Sequence, residues 1–397
     1  VDDHLDEFAA LLDTAGAEVI GRLVQRRDRP DPRTYLGAGR LAELKETAQE
    51  SGVNLIAAAT ELTPGQQRAL EDALSIRVVD RTAVILDIFA QHAKTAEGKL
   101  QVELAQLEYS YARQEGLWQH LERLGGGVGT RGPGESQLES DRRLVRNRMG
   151  ALRRRLRGVA RSRETMRGRR LASALPRVAL AGYTNAGKSS LMNALTGAGT
   201  SVDDALFETL DPTTRALEIG AHKVLLSDTV GFVRDLPHQL VEAFTSTLDE
   251  VRDADLLLHV ADATESEARR EVQAEAVESV LEEIGAGEIP RLVVVNKVDR
   301  LATDEQTALA NRFPDAILTS ARSGAGLDEV RRRLADVARG RLTAIDVTIP
   351  YARGELLSSV YAAGREVAEE ATPDGTRMRA LMPAPDAARL MAALGRA

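Results

Sequence analysis

The 397-residue sequence contains no cysteine. Disulfides, zinc–thiolate sites and cysteine nucleophiles are therefore excluded, no disulfide-linked partner is expected, and a reducing, cytoplasmic setting fits. No run of 18 apolar residues occurs, so no membrane span is expected. The first residues, Val1-Asp-Asp-His-Leu-Asp-Glu7, lack the basic start and apolar stretch of a signal peptide. They also lack an initiator Met, which points to a trimmed start and leaves an upstream segment open. The chain is too long for one core, so two to four domains are expected.

The charge is unevenly spread. Residues 139–170 hold thirteen Arg, no Lys and three acids, a net +10. The formal charge of the whole chain is −8, which leaves −18 for the remainder. Such a basic element is either a solvated helix laced with salt bridges or a surface facing a polyanion. Acidic partners are scarce on it and clustered basic charge gains from counterion release on phosphate, which favours the polyanion.

The chain is organised around Gly182, Tyr183, Thr184, Asn185, Ala186, Gly187, Lys188 and Ser189, followed by Ser190. The apolar run Val178–Ala181 precedes them and a helical pattern follows. Strand, glycine loop and helix with G-x-x-x-x-G-K-S spacing form a phosphate cradle. Its backbone N–H groups point inward at a helix N-terminus, Lys188 reaches the outer phosphates and Ser189 holds Mg²⁺. One strand later, Asp228, Thr229, Val230 and Gly231 follow Val224-Leu-Leu-Ser227. Asp228 is placed to hold Mg²⁺ through water, and the Gly231 N–H to touch a γ-phosphate. Then Asn296, Lys297, Val298 and Asp299 follow another apolar strand. A carboxylate at Asp299 accepts from guanine N1–H and the exocyclic amine. Adenine lacks that donor pair and would leave the carboxylate unpaired. Asn296 braces the loop, and Ser320, Ala321 and Arg322 offer backbone N–H groups towards guanine O6. The four motifs in this order predict a GTP/GDP site, with Lys188, Asp228 and Gly231 serving hydrolysis. A Mg²⁺-facing threonine is expected within Leu206–Arg215, where Thr209, Thr213 and Thr214 all qualify.

Around this centre, residues 1–95 read as an α/β domain. Ala17–Val24, Val53–Ala59 and Ile76–Val79 are strand-like, with helices at Leu41–Gln49, Pro64–Leu74 and Thr82–Ala90. Gly37-Ala-Gly39 looks like half a dinucleotide fingerprint. The preceding Arg29-Pro-Asp-Pro-Arg33 cannot be the buried strand such a site requires, so a glycine turn opening a helix is expected. Residues 96–172 read as two long helices in an antiparallel hairpin. One carries Leu100, Leu104, Leu107, Tyr111, Trp118 and Leu121; the other carries the heptad-like seam Val145, Met149, Leu152, Leu156, Val159 and Met166. Their connection has six glycines in the ten residues after Leu124, and Arg131, Gly132, Pro133 and Gly134 suggest close approach to another backbone. Residues 173–341 read as the nucleotide domain, a mostly parallel sheet with ligands at the strands' carboxyl ends. Strands are expected at Val178–Ala181, Lys223–Ser227, Leu256–Ala261, Leu292–Asn296 and Ala316–Thr319. Residues 342–397 read as a small α/β domain with strands at Ala344–Ile349 and Thr376–Met382 and a helix at Gly354–Gly364.

These motifs resemble the HflX family of GTPases, in the branch shared with Obg. The likeness rests on Tyr35-Leu-Gly-Ala-Gly39, Gly132–Arg142, the phosphate loop, Phe207-Glu208-Thr209-Leu210-Asp211, Asp228–Phe232, Asn296–Asp299 and Ser320-Ala321. It covers nearly the whole chain. The resemblance implies that Thr209 is the Mg²⁺ threonine, with Thr213 second, and that residues 207–211 line the nucleotide. It implies a factor that binds the large (50S) ribosomal subunit and its rRNA and dissociates stalled or idle 70S ribosomes. The alternative is a GTP-gated RNA- or protein-binding module in which hydrolysis only resets binding, and a monomer is expected. Arg153, Arg154, Arg155 and Arg157 are expected to face RNA together with Arg131–Gly134. Asn185 resembles the residue that holds K⁺ in related GTPases. Phe232 stands where many GTPases carry a water-positioning Gln, so slow hydrolysis in isolation is expected.

Overall fold

A computed structural model describes residues 2–124, 133–171, 175–197, 206–207, 209–220, 222–234, 245–340 and 342–395. Two compact units emerge. One comprises Val1–Ser162, Asp203–Asp211 and Asp235–Ser246; the other comprises Arg163–Val202, Pro212–Arg234 and Thr247–Ala397.

The first unit runs α1 (Asp2–Thr14), α2 (Ala38–Glu50), β1 (Leu55–Ala58), α3 (Pro64–Leu74), β2 (Arg77–Asp80), α4 (Arg81–His92) and α5 (Ala96–Leu124), and takes in most of α6 (Pro133–Leu171). Strands β1 and β2 pair in parallel, Leu55 opposite Arg77. Helix α3 starts where it does because Thr63 and Gln66 form a capping box and Pro64 opens the helix. It buries Leu70 and Leu74 on Leu62 and Val78. Helix α1 follows from Phe8, Leu11 and Leu12, which share one buried face. The strand expected at Ala17–Val24 does not form: the segment has no regular structure, Ile20 is 58% exposed, and the β1–β2 sheet offers it no partner among the described residues.

Helices α5 and α6 bury Leu100, Val102, Ala105, Met149 and Leu152. The first helix also supplies counter-charges to the basic one. Arg148 donates to Glu103 at 2.6 Å and Arg153 to Glu108 at 2.7 Å. Arg154, Arg155 and Arg157 are exposed and join no ion pair among the described residues. Arg131 and Gly132 lie outside the described residues, as does Glu208; Pro133 and Gly134 open α6.

The fully buried Asp80 carboxylate locks this unit together. It caps α4 through the Ala83 N–H at 2.9 Å, accepts from the Tyr109 hydroxyl at 2.7 Å and pairs with Arg113 of α5. Burial first, then the Asp80 charge, pushes the Tyr109 hydroxyl far above its usual pKa.

The second unit runs β3 (Arg177–Gly182), α7 (Lys188–Thr196), β4 (Thr213–Ile219), β5 (His222–Asp228), α8 (Thr245–Arg252), β6 (Leu256–Asp262), α9 (Glu267–Glu283), β7 (Arg291–Asn296), α10 (Thr303–Arg312), β8 (Ile317–Leu318) and α11 (Leu327–Gly340). The sheet order is β4-β5-β3-β6-β7-β8, parallel except for the edge strand β4. Val178, Leu180, Leu226, Leu258, Val260 and Val294 form its core with α7 and α11. Strand β4 is not evident in the sequence because its seven residues include two threonines, an Arg and a Glu, and only Leu217 is buried. The tail folds as β9 (Leu342–Ile349), α12 (Gly354–Ala363), β10 (Arg365–Thr372), β11 (Gly375–Pro383) and α13 (Ala384–Leu394), with an antiparallel β10-β11-β9 sheet and its own core. Strand β10 and helix α13 add to the elements expected there.

Removing the Asp80 carboxylate leaves Arg113 half-paired in the interior. Asp80→Ala is expected to cost the first unit about 3 kcal/mol, and Tyr109→Phe about 1 kcal/mol. Urea unfolding followed by hydrogen exchange in β1 to α5 measures both; equal losses would contradict the lock.

Candidate functional site

Five parallel strands of the second unit end on one side of the sheet, and the polar residues at those ends define the site. Strand β3 leaves the sheet at Gly182, and the loop to Gly187 turns into α7. Gly187 takes φ +89°, and a Cβ there would lie 2.3 Å from Asn296 Nδ2. Only glycine fits that turn and that contact. The Lys188 ammonium is buried, donating to Gly182 O at 3.1 Å and Tyr183 O at 2.8 Å. Burial lowers its pKa to about 8, opposed by Asp228 and aided by Lys297. Ser189 Oγ donates to Asp228 Oδ2 at 2.7 Å.

The end of β5 is strapped to this loop. Thr184 N–H donates to Phe232 O at 2.8 Å, and Phe232 N–H to Gly182 O at 3.1 Å. A Cβ on Gly231 would meet Thr184 Cα at 2.8 Å and Lys188 Nζ at 2.9 Å, so the Asp228–Gly231 turn needs a bare backbone there. Thr229 Oγ1 donates to Leu180 O at 2.6 Å and Val230 is buried. Phe232 is wholly buried, so its ring serves the core.

At the far ends of β7 and β8 a second polar group assembles. Asn296 Nδ2 donates to Ala186 O at 3.2 Å, while Asn296 Oδ1 accepts from the Ala321 N–H at 3.0 Å. Ser320 Oγ donates to Asp299 Oδ1 at 2.6 Å, which orients the carboxylate. Lys297 adopts φ +68° and its ammonium reaches Asp262 Oδ2 at 2.7 Å. Val298 is buried beneath the turn and Arg322 is exposed. Sequence reasoning missed Asp262. Its signal was there: it ends the apolar strand Leu256–Ala261, where ligand-side residues of such sheets sit.

The structure thus gathers residues 182–190, 228–231, 296–299 and 320–322 in one unit. Asn185 sits exposed at the loop tip with φ +60°. Thr213 and Thr214 lie in β4, and the Thr214 hydroxyl engages Ser227 Oγ at 2.8 Å. Phe207, Thr209, Leu210 and Asp211 belong to the other unit. Phe207 and Asp211, expected along the nucleotide, have their side chains on α4 and α5 instead. The physical reason is that a buried ring and a helix cap compete for them there. Among the described residues no cluster of three or more His, Asp or Glu could hold a metal. The Ser189–Asp228 oxygen pair beside the cradle still suits Mg²⁺, which keeps waters and substrate phosphates in its shell and needs few protein ligands.

Residues 2–90 match the profile of a family described as GTP-binding GTPase N-terminal, residues 92–170 that of the GTP-binding GTPase Middle Region, and residues 177–297 that of a 50S ribosome-binding GTPase. The GTPase HflX of Lacrimispora saccharolytica is 45% identical over 381 residues, covering 96% of this chain and 89% of that relative. The chain belongs to the HflX family of GTPases. The Escherichia coli GTPase HflX is 44% identical over 367 residues, covering 90% and 84%. A GTP-binding protein from Sulfolobus solfataricus, solved in complex with GDP, is 25% identical with a TM-score of 0.45 over 85% of this chain and 96% of that one. As an HflX-family protein the chain is a GTP hydrolase, and its ligand is a guanine nucleotide. Among its described residues no helix is long and apolar enough to cross a membrane.

The Lys188 shift gives a pH signature. Phosphate favours the ammonium form, so binding raises the lysine's pKa and takes up a proton above about pH 8. GDP affinity is expected to be level below that value and to fall about tenfold from pH 7 to pH 9. Calorimetry in that window, below the titration of guanine N1, checks it; a flat profile would contradict the buried-lysine assignment.

Proposed function

We propose that this HflX-family GTPase binds the large ribosomal subunit in its GTP state and separates stalled or idle 70S ribosomes. The observation that carries the reading is the exposure of Arg154, Arg155 and Arg157 on α6, without acidic partners among the described residues. Such a surface gains affinity from rRNA phosphate. The 50S ribosome-binding description of the family matched by residues 177–297 supports the choice of ribosome. Arg153, which also pairs with Glu108, lies on the same helix, and residues 131–134 before it would approach rRNA.

In the nucleotide site, the N–H groups of residues 185–190 would cradle the phosphates. Lys188 would pair with the outer ones, and the Gly231 N–H would register the γ-phosphate. Ser189 and Thr209 would hold Mg²⁺, with Asp228 acting through water. Mg²⁺, when bound, neutralises charge on the β- and γ-phosphate oxygens. Asp299, braced by Ser320, would accept from guanine N1–H and the amine, while the N–H groups of residues 320–322 face O6. Asn185 at the loop tip would hold K⁺, adding positive charge near the β–γ bridge. Equal hydrolysis rates in NaCl and KCl would remove that ion from the site. Phe232, sunk in the core, cannot orient the attacking water, so hydrolysis awaits a partner. The factor acts as a cytoplasmic monomer.

Sedimentation of 70S ribosomes with the chain and GTP, a non-hydrolysable analogue or GDP tests this. With GTP or the analogue, the 70S peak is expected to give way to subunits, the chain travelling with 50S. An unchanged 70S peak with the chain at the top would contradict it. Replacing Arg154, Arg155 and Arg157 by Ala should weaken 50S binding, lower its salt slope by about one per lost phosphate contact, and leave GDP affinity unchanged.

A further inference from the structure

Within the first unit, the segment carrying Thr209 is fastened on both sides of that threonine. Upstream, the Phe207 ring packs edge-on against Phe89 of α4, centroids 4.7 Å apart and planes at 75°. His92 Nδ1–H donates to Phe207 O at 2.8 Å; a carbonyl only accepts, so Nδ1 carries the proton. Phe207 holds φ +58°, a conformation a bulky residue adopts only where its surroundings enforce it. Downstream, Asp211 caps α5 from 116 residues away. Its Oδ2 accepts from the Lys94 and Thr95 N–H groups at 2.8 and 2.7 Å, and its Oδ1 from the Thr95 hydroxyl. The same hydroxyl accepts from the Gly98 N–H at 2.9 Å. The carboxylate therefore sits at the positive end of the helix that leads into the basic hairpin. Gly98 makes room for it, since a Cβ there would lie 2.5 Å from Asp211 Oδ1. Two residues further along, Thr213 is in register with Asp228 of the nucleotide sheet.

We propose that Asp211 is a positioning residue for GTP hydrolysis: by capping α5 it sets where Thr209 stands, and it makes the start of the hairpin move with that threonine. With anchors two residues before and two residues after it, Thr209 cannot shift alone. Either the α4–α5 junction follows or the anchors break. The helix whose partner carries the arginines would thus register the nucleotide state through a single carboxylate. The inference rests on reading Thr209 as the nucleotide-facing threonine.

The test uses the full chain and three measurements: GTP turnover, GDP affinity, and hydrogen exchange of the Lys94–Gly98 amides with GDP or a non-hydrolysable GTP analogue. In the unaltered protein those amides are expected to differ in protection between the two nucleotides. Asp211→Asn removes the charge, and Gly98→Ala displaces the carboxylate while favouring the helix. Both should abolish that difference and lower kcat at least about tenfold, with GDP affinity unchanged. Asp211→Glu should recover part of the rate. Unaltered turnover and exchange in both variants, beside a crippled Thr209→Ala, would overturn the positioning role alone. Unaltered turnover in Thr209→Ala would overturn the reading of that threonine, and this proposal with it.

Discussion

A loop that offers most of its backbone N–H groups to phosphate has few left to hold itself, so it must be held largely by its carbonyls. The rest of the second unit is arranged around that constraint. Lys188 reaches back to Gly182 O and Tyr183 O, and Asn296 comes from two strands away to Ala186 O. The backbone of Phe232 bridges Gly182 and Thr184. The loop is therefore gripped by the turns after β5 and β7, the two segments proposed to meet the γ-phosphate and the base. A cradle fixed from behind costs no reorganisation when phosphate arrives, the condition for electrostatic preorganisation. The same grip forces the glycines, since Gly187 abuts Asn296 and Gly231 abuts Thr184.

Much of this was legible in the sequence because the constraint is local. A strand, a glycine loop and a helix must be contiguous, so the 182–189 spacing declared them, and the apolar runs before Asp228 and Asn296 declared the strands that bring those residues alongside. Polar elements were less legible. Strand β4 is an edge strand and shows one buried side chain, and β10 is largely exposed, so neither carries the alternation by which strands are read. Conversely, Ala17–Val24 looks like a strand, yet pairing requires a neighbour that no local pattern reveals. Asp262 ends an apolar strand and could be noticed for that, but its partner Lys297 lies thirty-five positions on and one strand over, where no local pattern points. The hairpin seam was read from spacing, whereas α5 also packs on α4, so Val102 and Ala105 are buried while Leu104 and Leu107 are only partly so.

The charge distribution acquires a structural meaning in the same terms. Of the arginines on α6, Arg148 and Arg153 are spent on Glu103 and Glu108, contacts that fix one helix on the other. Exposed ion pairs of this kind contribute little to stability, about 1 kcal/mol at most. Their consequence is directional: the pairing turns Arg148 and Arg153 towards α5 and leaves Arg154, Arg155 and Arg157 in solvent. The segment 206–211 shows a parallel division of labour. Its sequence looks like part of a nucleotide site, while its flanking side chains are committed to α4 and α5.

With Phe232 sunk in the core, the described residues after β5 offer no side chain to orient water, and under the proposed function turnover waits on the ribosome. GTP hydrolysis by the purified protein, measured alone and across a titration of large ribosomal subunits, tests it most directly. Expected is slow turnover alone that rises at least about tenfold and saturates with added subunits. Turnover as fast alone as with saturating subunits would contradict it.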